Sequence, residues 1–248
     1  DNYFWLLHLE GSSAAYVVDP GAADPVLAAL EAQGLTLAGI LITHHHPDHT
    51  GGIDQLLERF PVPVYGPHSD WIPQISNPLQ DSDSVTLEPG LTLEVLEVPG
   101  HTLDHIAYYA PQAGLLFCGD TLFAGGCGRL FEGTPAQMLA SLQKLAALPP
   151  STAVYCAHEY TLANLAFARA VEPHNAALAE RLERDRASRD QQQPTVPSNI
   201  ALELATNPFL RASETSVQAA AEAHSGDTLP TPTDVFAAIR RWKDGFSA

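Results

Sequence analysis

Residues 1–165 alternate short apolar runs with turn residues, and the runs SAAYVVDPG, LAGILIT, VPVYGP, LTLEVLEVPG, HIAYYA, GLLFCGD and AVYCAHE predict strands. Several are continuously apolar and end in Gly, Pro or Asp, as strands covered on both faces do. Fewer helices fit between them. Asp24 and Pro25 supply an N-cap and a first-turn proline for a helix whose inner stripe is Val26, Leu27 and Leu30 and whose end is Gly34. Ile53 to Phe60 and Pro135 to Ala147 predict two more. From about Thr161 the apolar positions recur at three and four, through TLANLAFARAV and NAALAERLERDRASRD. After the polar connection QQQPTVPSN and the short ALELA, TPTDVFAAIRRWKDGF predicts a terminal amphipathic helix capped by Thr231, with Pro232 and Asp234 in its first turn. A mixed α/β body over residues 1–165 followed by a helical one over 166–248 is expected.

Composition adds exclusions. The 248 residues are 45% hydrophobic and 17% charged, long enough for a substantial core and too apolar for a disordered chain. No run approaches the ~18 apolar residues that a membrane span requires. The opening DNYFWLLHLE has neither a basic n-region nor a small-residue cleavage site, so a soluble, cytoplasmic protein is expected. Because the chain starts without Met, a few residues are expected to precede Asp1. Three cysteines with no CxxC pair fit a reducing compartment. A net charge of −17 argues against nucleic acid and anionic membranes, which both require basic patches. Eight of the twelve Lys and Arg fall after residue 170, a bias that a solvated helix face explains as well as a binding site does.

The chemistry concentrates in THHHPDHTGG at residues 43–52, where four of eleven histidines follow the run LAGILI. At a strand end His44 and His46 point to one side and His45 to the other, while Asp48 and His49 occupy the turn before a helix beginning near Gly52. Imidazole and carboxylate are ligands for zinc and similar divalent ions, so this short segment can contribute to two neighbouring metals. A surface loop that binds metal adventitiously is the alternative. Further ligand types follow other apolar runs: His101 in VPGHTLDH, Asp120 in FCGDT and His158 in YCAHEY. Each alone reads as a hydrogen-bonded turn residue; with the histidine cluster they read as the rest of a metal site.

The H-x-H-x-D-H motif with separate His, Asp and His ligands resembles the metallo-β-lactamase superfamily. Within it the chain is similar to the glyoxalase II family of hydroxyacylglutathione hydrolases, through DNYFWLL, THHHPDHTGG, GHTLDH, GDTLFAGGCGRLFEGT, YCAHEYT, VEPHN, NPFLR and IRRWKD. The resemblance implies an αβ/βα four-layer sandwich with a C-terminal helical domain. It also implies two divalent ions, most simply Zn with Fe or Mn as options: one on His44, His46 and His101, the other on Asp48, His49 and His158, bridged by Asp120. Asp48 and Asp120 then belong to the catalytic centre, Asp48 as a ligand rather than a base. The implied reaction is hydrolysis of S-D-lactoylglutathione to glutathione and D-lactate, with water activated by the metals and a thiolate leaving without a dedicated acid. The implied partner is therefore a small glutathione thioester, and a monomer is expected.

Glutathione is anionic, so an acidic protein must hold it with local positive charge. Arg240 and Lys243 lie three apart on the last helix, thus on one face. The resemblance assigns them to the glycine carboxylate, together with Arg129 and Tyr160. Backbone amides of Gly125 to Gly128 are also expected to approach the peptide. Two positions depart from the family pattern: Phe131 stands where some members have Tyr, removing a hydroxyl contact, and Asp104 where Gly is usual. A positive φ would suit Asp at 104, although its charge has no evident partner in the sequence. His105 is expected to support the ligands rather than join them. Two alternatives stand beside the thioesterase: a mononuclear iron persulfide dioxygenase of the same fold, and a non-catalytic metal-binding scaffold. The scaffold reading fits poorly, because structural zinc sites are sulfur-rich and closed.

Overall fold

The computed structural model describes residues 1–247. The chain opens with β1 (Trp5–His8), β2 (Ala14–Val18), α1 (Ala23–Gln33), β3 (Thr36–Leu41), α2 (Pro47–Thr50), α3 (Ile53–Arg59), β4 (Val64–Pro67) and β5 (Asn77–Leu79). Their strands form one sheet in the order β1-β2-β3-β4-β5, parallel except for the β1–β2 pair. Next come β6 (Ser84–Leu87), β7 (Leu91–Glu97), β8 (Ile106–Ala110), β9 (Leu115–Gly119), the ribbon β10 (Leu122–Phe123) with β11 (Gly126–Cys127), α4 (Pro135–Ala146) and β12 (Ala153–Cys156). The remainder is α5 (Thr161–Val171), α6 (Ala176–Asp190), β13 (Ser198–Asn199), α7 (Ile200–Thr206), α8 (Thr215–Ser225) and α9 (Pro232–Asp244). The second sheet runs β13-β12-β9-β8-β7-β6.

Strand alternation divides the side chains among three apolar layers. Ala15, Val17, Ile40 and Ile42 pack outward against Val26 and Leu30 of α1 and Ile53 and Leu56 of α3. Tyr16, Val18 and Leu41 face inward, onto Val95, Ile106, Tyr108 and Phe117 of the second sheet. The second sheet's other face, with Ala107, Leu116 and Cys118, meets Leu142 of α4, Phe167 of α5 and Phe236 and Ile239 of α9. Helix, sheet, sheet and helix therefore stack in four layers, and the C-terminal helices share their core with the second sheet.

The predicted strands and helices all have counterparts here, with shifted ends. Unread in the sequence are β1, the short β5 and β6, the two-residue β10, β11 and β13, and α8, whose TSVQAAAEAHS is too alanine-rich to show a stripe. The turn expected at Asp48 and His49 is instead the one-turn helix α2, opened by Pro47. Cys118, Cys127 and Cys156 are all buried and free. Among the described residues no helix is long and apolar enough to cross a membrane.

Candidate active site

Strand ends and the loops after them bring the seven metal-ligand candidates to one place. Donor atoms of His44, His46 and His101 lie within 4.8 Å of one another, as do those of Asp48, His49 and His158, and those of His44, His49 and Asp120. Asp120 sits between the first two groups: Oδ1 is 3.4 Å from His49 Nε2 and 3.3 Å from His158 Nε2, and Oδ2 is 3.5 Å from His101 Nε2. All but His46 and Asp48 are buried. Among the described residues His44 Nε2, His49 Nε2 and Asp120 Oδ1 are buried without a well-formed hydrogen bond. Such orphans cost stability unless something else binds them, and oxygen and imidazole nitrogen donors converging on one point fit divalent metal ions.

Neighbours aim these ligands. Asp19 Oδ1 accepts from the Thr43 amide at 2.8 Å and Oδ2 from the Thr43 hydroxyl at 2.7 Å, while the same Oδ2 is 3.1 Å from His49 Nδ1. Thr43 Oγ1 lies 3.0 Å from His44 Nδ1, leaving Nε2 to face the cluster. Asp19 holds a left-handed backbone, φ 51°, so this support is built on strain. Burial alone would depress His49, but Asp19, Asp120 and Asp48 outweigh it and raise its pKa to about 9 without metal. Burial holds His44 well below the usual imidazole value and His105 at about 3. His105 stacks on His44, 4.5 Å between centroids, and its Nε2 accepts from the Asp120 amide at 3.1 Å. The His101 Nδ1 faces the Arg129 carbonyl at 2.9 Å, which turns its Nε2 to the site.

Asp104 does not need a positive φ; its backbone lies outside that region. Both its oxygens are 3.0 Å from His45 Nδ1 and one accepts from Thr102 Oγ1 at 2.7 Å, so its charge has partners after all. Burial opposes the ionised form, and bonds from Thr102, Ser69 and His45 reverse that, holding the carboxyl below its ordinary range. His45 points away from the metal cluster, into this pairing.

A pocket of about 610 Å³ opens from the metal cluster and is lined by Arg129, Phe131, Tyr160, Arg240 and Lys243, all five substrate candidates. This is ample for a tripeptide thioester. Tyr160 stacks on His158, 4.8 Å between centroids, and the Phe131 ring lies 5.2 Å from His101. The charges are less free than their spacing suggests. Arg240 is buried; its Nη1 donates to the Cys127 carbonyl at 2.9 Å, its Nη2 to Asp244 Oδ1 at 3.0 Å, and its guanidinium lies 5.0 Å over Phe209. Lys243 Nζ donates to the Ala163 carbonyl at 3.1 Å. Burial, then Arg240 and Arg129, lowers the Lys243 pKa. Arg129 is exposed, 3.8 Å from Asp244.

Two of the glycine-loop amides expected to approach the peptide are already engaged. The Gly125 amide donates to Glu203 Oε2 at 2.8 Å and the Gly128 amide to the Thr121 carbonyl at 3.2 Å, so both turn inward rather than toward the pocket. Sequence reading also missed Asp19, Glu203 and Asn2, whose Nδ2 lies 3.1 Å from Asp48 Oδ2. The signal available for Asp19 was its place at the end of the run AAYVV, the same signal that marked Asp120.

Comparison with known proteins places this geometry. Residues 3–158 match the metallo-beta-lactamase superfamily and residues 159–246 the hydroxyacylglutathione hydrolase C-terminus. A hydroxyacylglutathione hydrolase of Alkalilimnicola ehrlichii is 60% identical over 98% of this chain and 95% of its own length. Among solved structures, ETHE1 from Myxococcus xanthus superposes with a TM-score of 0.66 at 25% identity, covering 98% of this chain and 93% of that one. TTHA1623 in a di-iron-bound form does so with 0.61 at 27% identity, covering 84% and 95%. The fold and its His/Asp donors make this a metal-dependent hydrolase, and the chain belongs to the hydroxyacylglutathione hydrolase family of the metallo-beta-lactamase superfamily.

Proposed function

We propose that the chain hydrolyses S-D-lactoylglutathione to glutathione and D-lactate at a dinuclear metal site. The observation that carries this reading is a single pocket holding both the ligand cluster and the cationic groups Arg129, Arg240 and Lys243. His44, His46 and His101 would hold one ion, Asp48, His49 and His158 the other, and Asp120 both; zinc suits the donors, and iron or manganese fit them too. Bound there, the ions would bring water toward ionisation at neutral pH and polarise the thioester carbonyl. The protein's own part is positioning. Arg129, Arg240, Lys243 and Tyr160 hold the glutathione end, and Phe131 lies beside the ligands His46 and His101. The departing thiolate is stable enough to leave unprotonated, so no side chain need serve as an acid. Residues 1–165 thus supply every metal ligand, and residues 166–248 supply Arg240 and Lys243 as the helical glutathione-binding part.

The partner is a small thioester, and a cytoplasmic monomer suits such a substrate. The persulfide dioxygenase alternative is less supported, because the C-terminal match is to hydroxyacylglutathione hydrolases. Metal-replete protein assayed with S-D-lactoylglutathione should release free thiol and D-lactate in equal amounts. Consumption of oxygen with a persulfide, and no thioester cleavage, would reject the reading.

A further inference from the structure

The most heavily bonded buried charges lie outside the metal site. Arg181 of α6 is 2% exposed and Glu203 of α7 is fully buried. Arg181 Nη2 donates to Glu203 Oε1 at 2.7 Å, Nη1 to Thr206 Oγ1 at 2.6 Å and Nε to Asp185 Oδ2 at 3.3 Å, and Ser198 also bonds Glu203 Oε1. The other carboxylate oxygen of Glu203 leaves the helices. It accepts from the Gly125 amide at 2.8 Å and from Asn207 Nδ2 at 3.0 Å. Asn207 Nδ2 in turn reaches the Gly126 carbonyl at 2.9 Å, and Asn164 Nδ2 the Ala124 carbonyl at 3.2 Å.

What these bonds grip is the segment between Asp120 and Arg129. Gly125 holds φ 71°, and a Cβ there would lie 2.8 Å from Leu165, so the loop passes close to α5 in a conformation suited to glycine. Gly128 leaves no room for a side chain against the Asp120 carbonyl and His101. One residue later Arg129 presents its guanidinium to the pocket and its carbonyl to His101 Nδ1. A buried carboxylate that ordered only its own helices would not need the Gly125 amide.

We propose that Glu203, anchored by Arg181 and aided by Asn207, is a positioning residue that sets the Gly125–Arg129 loop and thereby the enzyme's preference for glutathione thioesters over small ones. It acts through Arg129 and touches no substrate itself. The proposal rests on the glutathione reading, and two measurements separate their failures. The first is amide hydrogen exchange in the wild-type protein: Gly125 should exchange as slowly as core strand amides, because its donor is buried and paired. Exchange at the rate of an exposed loop overturns the proposal, whatever the substrate.

The second compares S-D-lactoylglutathione with a lactoyl thioester of a small neutral thiol. In Glu203→Gln, which sets an amide against Arg181, and in Asn207→Ala, which leaves no buried charge unpaired, kcat/KM for the glutathione thioester should fall about tenfold more than for the small one, chiefly through KM. Metal content should stay at the wild-type level. Equal losses on both substrates, or an unchanged ratio in folded protein, overturn the proposal. Should Glu203→Gln fail to fold, Asn207→Ala and the wild-type exchange still decide. A wild type inactive on the glutathione thioester would remove the substrate reading while leaving the exchange result to stand or fall alone.

Discussion

One cluster of buried polar groups joins α6 and α7, another gathers at the strand ends around Asp120, and they are finished differently. Around Arg181, donors and acceptors match: guanidinium nitrogens meet Asp185, Glu203, Ser198 and Thr206, and the leftover carboxylate oxygen meets a backbone amide. Around Asp120, five imidazoles and two carboxylates converge, with His44 Nε2 and Asp120 Oδ1 left without a well-formed bond. A buried network that satisfies itself specifies structure; one that leaves inward-facing acceptors open specifies a ligand. The contrast separates a fold-holding cluster from a chemical one more sharply than burial does, since both are buried.

The contrast predicts opposite costs of mutation. Asp120→Ala should lose several kcal/mol of transition-state stabilisation, about a thousandfold in kcat, with lower metal occupancy and little change in helix content. Retention of near-normal kcat would show that Asp120 does not join the two ligand groups. Arg181→Leu should do the reverse. It strands Glu203 and Asp185 and should destabilise folding by about 3–5 kcal/mol in denaturant titrations, with metal stoichiometry unchanged in the folded fraction. Loss of metal from that folded fraction would erase the distinction between the clusters.

Smaller changes test the pocket beside the metal-ligand cluster. Phe131→Tyr adds a hydroxyl beside His46 and His101 and should lower KM by the equivalent of about 0.5–1.5 kcal/mol with kcat nearly unchanged. A raised KM would mean that the ring packs where a hydroxyl does not fit. Asp244→Asn should have the smallest effect. Its carboxylate, 3.0 Å from Arg240 and 3.8 Å from Arg129, competes with an anionic substrate for both arginines. Removing that charge at a half-exposed position should lower KM roughly two- to fivefold, less at high salt. An unchanged KM at low salt would show that substrate carboxylates bind elsewhere.

The metal end was far more legible in the sequence than the helical end. Each ligand candidate follows an apolar run, so strand pattern and residue type pointed to it together: His44 after LAGILI, Asp120 after GLLF, His158 after AVY. Asp19 follows the same rule but stands alone, 24 residues before Thr43, and only the parallel pairing of β2 with β3 brings the two together. Glu203 and Arg181 gave no signal, because a charge on a helix reads as solvated until tertiary packing covers it. Arg240 was legible as a charge near the pocket, but not as one already engaged by Cys127 and Asp244. Sequence spacing places a side chain on a face; it does not say what the opposite element brings to it.

The proposed function requires that two ions complete the unsatisfied cluster. The direct measurement is elemental analysis of purified protein before and after equilibration with excess zinc, iron or manganese and removal of unbound metal. Metal content should reach a plateau at two ions per chain, with thioester hydrolysis rising to that plateau. A plateau at one, with full activity and no gain on further addition, would contradict it.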